Sequence, residues 1–106
     1  MAEVMRRFPG LTAICAHLGG YSEWEEAVDL LPGTGVYVDT SSSLFALAPE
    51  RAAEIIRAFG VDHVLFGSDY PMWNPGEEKC RLEALALTAA EKQAIFYDNA
   101  ARLLNL

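Results

Sequence analysis

The stretch Val64-Leu65-Phe66-Gly67-Ser68-Asp69-Tyr70-Pro71 decides how the rest of the chain is read. Three apolar residues with strand character run into a glycine, a serine and an aspartate. Pro71 then removes the backbone donor that a further ladder bond would need. Such a segment predicts a buried strand, about 62–66, delivering one carboxylate, Asp69, to its C-terminal lip. Two more segments of this kind lie upstream. Leu11 to Ala16 is an apolar run broken only by Thr12, and it ends in His17-Leu18-Gly19-Gly20. Val36-Tyr37-Val38 ends in Asp39-Thr40-Ser41-Ser42-Ser43. Short continuous apolar runs fit strands covered on both faces, as in parallel sheets.

The segments between them carry helical spacing. Residues 2–8 read as the end of an amphipathic helix, stopped by Pro9-Gly10. Ser22 with Glu25 three residues on predicts a capping box, and Trp24, Ala27, Val28 and Leu31 follow at helical intervals before Pro32-Gly33. Pro49 suits the first position of the next helix. Its apolar stripe is Ala52, Ile55, Ile56 and Phe59, and Gly60 closes it. A helix over about 77–86 follows the loop Pro71–Gly76. Thr88 with Glu91 predicts a second capping box, opening a last helix with Ile95, Phe96, Ala100, Leu103 and Leu104 on one side. Strands alternating with amphipathic helices make this an α/β chain of parallel βα units. We read residues 1–106 as one partial domain.

The totals agree with a folded chain and exclude several partners. The 106 residues are 52% hydrophobic, so the chain is not disordered. No apolar run approaches the ~20 residues a membrane helix needs. The N-terminus mixes charges with apolar residues and has no apolar core behind them, so it is not read as a signal peptide. Fifteen acidic against eight basic residues give a net charge of -7, which argues against nucleic acid as a partner. Cys15 and Cys80 have no CxxC neighbour and read as reduced thiols of a cytoplasmic protein.

In parallel α/β sheets, working residues gather at the C-terminal strand ends. Here all three ends are polar. His17 could be satisfied by local hydrogen bonds alone. Its place at a strand lip, followed by two glycines, favours a metal ligand or proton shuttle. Asp69 could serve as a turn former, but a carboxylate on a buried strand end is also a hard-oxygen ligand and a base. Asp39 and Ser41 read as a capping and turn cluster or as part of a substrate site. Tyr70, Met72 and Trp73 read as pocket lining or as loop packing. His63 precedes its strand, at the end away from the lip, and reads as a surface residue. A hydrolytic triad of Ser41, His17 and Asp69 is rejected, because no GxSxG elbow exists.

Taken together, Ala16-His17-Leu18-Gly19-Gly20, Val36-Tyr37-Val38-Asp39-Thr40-Ser41, Leu65-Phe66-Gly67-Ser68-Asp69-Tyr70-Pro71 and Asn99-Ala100-Ala101-Arg102-Leu103-Leu104 resemble the C-terminal part of the amidohydrolase-2 family. These are TIM-barrel metal-dependent hydrolases related to the aminocarboxymuconate-semialdehyde decarboxylases. The resemblance covers essentially the whole chain. It implies strands six to eight of a (β/α)8 barrel, hence an incomplete barrel that starts near the end of helix five. It implies His17 and Asp69 as catalytic residues and as ligands of a divalent metal, zinc before manganese. Ser41, Tyr70 and Trp73 become the residues facing a small-molecule substrate. The family's His-x-His pair from strand one and its ligand from strand five have no counterpart, since His17 and His63 are the only histidines.

A catalytic zinc takes about three protein ligands and a barrel about 250 residues. The expectation is therefore a segment of a metal-dependent hydrolase acting on an amide, ester or lactone, inactive as this chain alone. Two alternatives stand beside it: a segment of a non-oxidative decarboxylase of the same superfamily, and a non-catalytic interaction module. Three parallel strands leave two unpaired edges, which predicts a homo-oligomer or a complementing chain.

Overall fold

The computed structural model describes residues 1–106. Three parallel strands form one sheet in the order β1 (Ile14–Cys15), β2 (Tyr37–Asp39), β3 (Val64–Leu65). Ile14 pairs with Tyr37 and Cys15 with Val38; Val38 pairs with Val64 and Asp39 with Leu65. This register brings the three strand ends level. Helix α1 (Ala2–Arg7) leads in, α2 (Trp24–Leu30) joins β1 to β2, and α3 (Pro49–Phe59) joins β2 to β3. After β3 come α4 (Pro75–Glu83), α5 (Ala89–Gln93), a π turn (Ala94–Asp98) and α6 (Asn99–Leu104). No helix is long and apolar enough to cross a membrane.

The core lies between the central strand and α3. Val38, Val64, Ala52, Ile55 and Ile56 are fully buried, with Phe59 close behind. The stripe expected on α3 is thus the buried one, and Ile55 and Ile56 there each contribute about 1.5–3 kcal/mol. Pro49 occupies the first turn of α3, and Gly60 closes it at φ 92 while its amide donates to Ile56 and Arg57 carbonyls. Thr88 and Glu91 form a reciprocal capping box at α5. Asn99 is buried, and its amide donates to the carbonyls of Val61 (2.7 Å) and Val64 (2.8 Å). It staples α6 to the turn that starts β3.

Several boundaries differ from the sequence reading, each for a physical reason. The run Leu11–Ala16 pairs only over Ile14–Cys15, and Leu11 (44%) and Ile14 (51%) are exposed rather than buried. β1 is an edge strand with no neighbour on its other side. Ser22 does not cap α2. It lies in a turn at φ 61, and the helix starts at Trp24 without a side-chain cap. The segment 62–66 divides into a 3₁₀ turn (Val61–His63) and the short β3. Helix α4 starts two residues earlier than read, because Asn74 Oδ1 accepts from the Gly76 and Glu77 amides and Pro75 fills the first turn. The π turn shifts the register of the last helix, so Asn99 turns inward and Leu104 is 63% exposed. His63 is half-buried, packed on Tyr37 with ring centroids 4.9 Å apart.

Candidate functional site

Each strand hands over to a loop whose first residues turn sharply. His17 (φ 59), Ser42 (φ 46) and Asp69 (φ 57) all occupy the left-handed region, one at each strand lip. Non-glycine residues enter that region at about 1–2 kcal/mol each, and such conformations cluster at working sites. At the first lip, Gly19 permits close packing: a Cβ there would lie 2.9 Å from Leu31. At the third, a Cβ on Gly67 would meet the Asp39 side chain at 3.2 Å. The glycine of the Phe66-Gly67-Ser68-Asp69 stretch therefore lets Asp39 reach between the strands.

Asp39 is the hub of the first half of the site. Its Oδ1 accepts from the His17 amide (3.1 Å), the Ser41 amide (3.0 Å) and the Ser41 hydroxyl. His17 Nδ1 lies 2.9 Å from Ser41 Oγ and 3.0 Å from the Ser41 carbonyl. The single Ser41 hydroxyl hydrogen is spent on Asp39, and a carbonyl only accepts. His17 Nδ1 must then carry the proton, leaving the Nε2 lone pair free. Trp24 Nε1 donates to the His17 carbonyl (3.0 Å) and holds the turn from the other side.

The second half is built on Asp69. Ser42 Oγ donates to Asp69 Oδ2 (2.7 Å), and Trp73 Nε1 donates to Ser42 Oγ (3.0 Å). The Trp73 ring stacks on Phe45 with centroids 4.6 Å apart, and the Arg81 guanidinium lies 5.3 Å from its centre. Arg81 is itself ion-paired to Glu78, which is 1% exposed and whose second oxygen has no partner. The Tyr70–Pro71 bond is cis.

His17, Ser42 and Asp69 meet on one cleft of ≈ 240 Å³, walled by Tyr21, Phe45 and Trp73. Of the five residues expected at the site, His17, Asp69 and Trp73 line this cleft. Ser41 is buried behind it against the His17 imidazole. Tyr70 is 75% exposed and outside the lining. Sequence reasoning passed over Ser42. The only signal for it was a run of four hydroxyl residues, Thr40–Ser43, all of which the fold buries.

As metal ligands, the imidazole Nε2 and the Asp69 carboxylate are of the nitrogen and oxygen types that zinc and manganese take. They fit such a group as part of a ligand set. The chain holds no cluster of three His, Cys, Asp or Glu side chains, so it does not complete one by itself.

The fold has close relatives among solved structures. A TIM-barrel protein from Bordetella bronchiseptica superposes with a TM-score of 0.82 at 27% identity, over 98% of this chain and 37% of its own. An amidohydrolase 2 from Bifidobacterium longum subsp. infantis gives 0.71 at 25% identity, over 100% and 45%. A dihydroxybenzoic acid decarboxylase from Polaromonas, with bound manganese and the inhibitor 2-nitroresorcinol, gives 0.76 at 22%, over 99% and 37%. The chain thus spans less than half the length of each. No curated protein sequence matches it. The mixed α/β architecture with its three-stranded parallel sheet agrees with a piece of such a barrel. The amidohydrolase family model matches residues 1–106, the whole of the sequence, and the chain therefore belongs to the amidohydrolase-2 family.

Proposed function

We propose that this chain supplies strands six to eight of a metal-dependent amidohydrolase-2 barrel, and that His17 and Asp69 are its working residues. One observation carries the reading. Both side chains reach a single cleft at the C-terminal strand ends, each tethered through one polar atom with another left free. His17, fixed with its proton on Nδ1, presents Nε2 to accept a proton from the attacking group or to ligate. Asp69, held through Oδ2, presents Oδ1 as a ligand or base. When bound, a divalent metal supplies Lewis acidity and lowers the pKa of water to about 7. Tyr21, Phe45 and Trp73 give a small-molecule substrate an apolar wall beside the reacting groups.

Hydrolysis of an amide, ester or lactone is the reading we adopt. Non-oxidative decarboxylation is the second, favoured by the decarboxylase among the structural relatives. Either reading draws on the same two residues, His17 and Asp69.

The test supplies the missing partner. The purified 106-residue chain is expected to hold no stoichiometric zinc or manganese and to turn over neither a lactone nor a hydroxybenzoate. Adding an amidohydrolase-2 N-terminal segment that bears the His-x-His strand is expected to bring about one metal per complex and turnover. His17→Ala and Asp69→Ala should each lower that turnover by roughly 10²–10⁴-fold. Stoichiometric metal and turnover by the isolated chain would reject its inactivity. Full activity in either variant would reject the site. Which substrate is consumed decides between the two reactions.

A further inference from the structure

We propose that Ser42 and Trp73 are positioning residues for Asp69, through a one-way hydrogen-bond chain that ties Oδ2 and leaves Oδ1 to the cleft. The direction follows from hydrogen counting. An indole nitrogen only donates, so Ser42 Oγ, 3.0 Å from Trp73 Nε1, accepts. A serine hydroxyl has one hydrogen. With its acceptor side taken by Trp73, that hydrogen goes to Asp69 Oδ2 at 2.7 Å. Bonds aligned head to tail polarise one another. Ser42 is 6% exposed, so water competes little for the hydroxyl.

The chain is anchored by groups other than Asp69. Phe45 stacks on the Trp73 ring, and Arg81 sits over that ring while paired to buried Glu78. The aim of the indole is thus set by α4 and by the loop after β2, not by Asp69. Asp69 itself is exposed and has no second hydrogen-bonding side chain to hold it. This gives Trp73 a task besides lining the cleft. Its N–H is already committed and is not available to a ligand.

The inference rests on reading Asp69 as a working carboxylate, but its test needs no turnover. In the ¹⁵N-labelled full chain, the Trp73 indole signal is separated from that of Trp24 by Trp24→Phe. Asp69→Ala is expected to move the Trp73 Nε1–H resonance in the wild-type background and to leave it in place in a Ser42→Gly background. Ser42→Gly alone should speed solvent exchange of that proton roughly fivefold to tenfold, as loss of one such hydrogen bond implies. Glycine is chosen because it tolerates φ 46, and Ser42→Ala serves as a second variant. An indole signal unchanged by both Ser42 variants would overturn the proposal, as would an equal Asp69→Ala effect in both backgrounds. If the coupling is seen and the complemented barrel is inactive, the proposed function falls and the positioning pair stands. If activity depends on Asp69 but the coupling is missing, the reverse holds.

Discussion

His17 shows how much a single side chain can be told by its neighbours. The protonated nitrogen is fixed by two acceptors on Ser41, one of which is an acceptor only because Asp39 has taken its hydrogen. Long-range ¹H–¹⁵N spectra of neutral His17 should therefore show the proton on Nδ1. A dominant Nε2–H form would contradict the assignment and remove Nε2 as ligand or base. His17 and Asp69 were legible in the sequence because each ends an apolar run at a strand lip. Ser42 was not, and Asp39 was left between a turn and a site role, because their parts depend on where the chain goes after the strand. An aspartate and a serine before a helix look the same whether they cap a turn or hold an imidazole.

At the scale of elements, the order of strands and helices was legible and their edges were not. Apolar runs and amphipathic stripes announce themselves, as on α3. Boundaries turn on local chemistry that competes, such as Asn74 capping two residues before the stretch expected to be helical. The π turn at Ala94–Asp98 left no readable mark, and it decides that Asn99 faces inward. Asn99→Ala should leave two carbonyls, Val61 and Val64, without their partner. The expected loss is about 1–3 kcal/mol in urea unfolding. A change within a few tenths would show that α6 is not stapled there.

The capping box gives an element-level pH dependence. Hydrogen bonds from Arg57, and then from the Thr88 amide, hold the Glu91 carboxyl below its ordinary value of 4.5. A lowered native value means that the stabilisation is complete above 4.5 and is lost as pH falls through the native value. Glu91→Gln keeps the capping geometry and removes the charge. The variant should unfold at lower urea than the parent at pH 7, with the two midpoints converging below pH 4.5. A gap independent of pH would assign the effect to packing instead.

For the whole molecule, the governing fact is a three-stranded sheet with open edges. β1 pairs on one side only, and Leu11 and Ile14 stand exposed, as do Met1, Val4 and Phe8 of the lead-in segment. Each structural relative described above is at least twice as long as this chain. An apolar strand edge of this kind is a template for another chain. We expect the 106-residue protein to be a homo-oligomer. Light scattering at micromolar concentration checks this, and a clean monomer would contradict it. Lys substituted at Ile14 should shift the distribution toward smaller species, since charge on an edge strand opposes pairing.

His17, Ser42 and Asp69, left-handed at the three strand lips, carry a consequence for how such a chain changes by mutation. Glycine would relieve the backbone at 17, 42 and 69 alike, and it would erase an imidazole, a hydroxyl and a carboxylate in doing so. Stability and chemistry thus pull these positions in opposite directions. A lineage that no longer uses the site should lose it first here, by drift toward glycine or asparagine, while the buried aliphatic stripe of α3 stays unchanged.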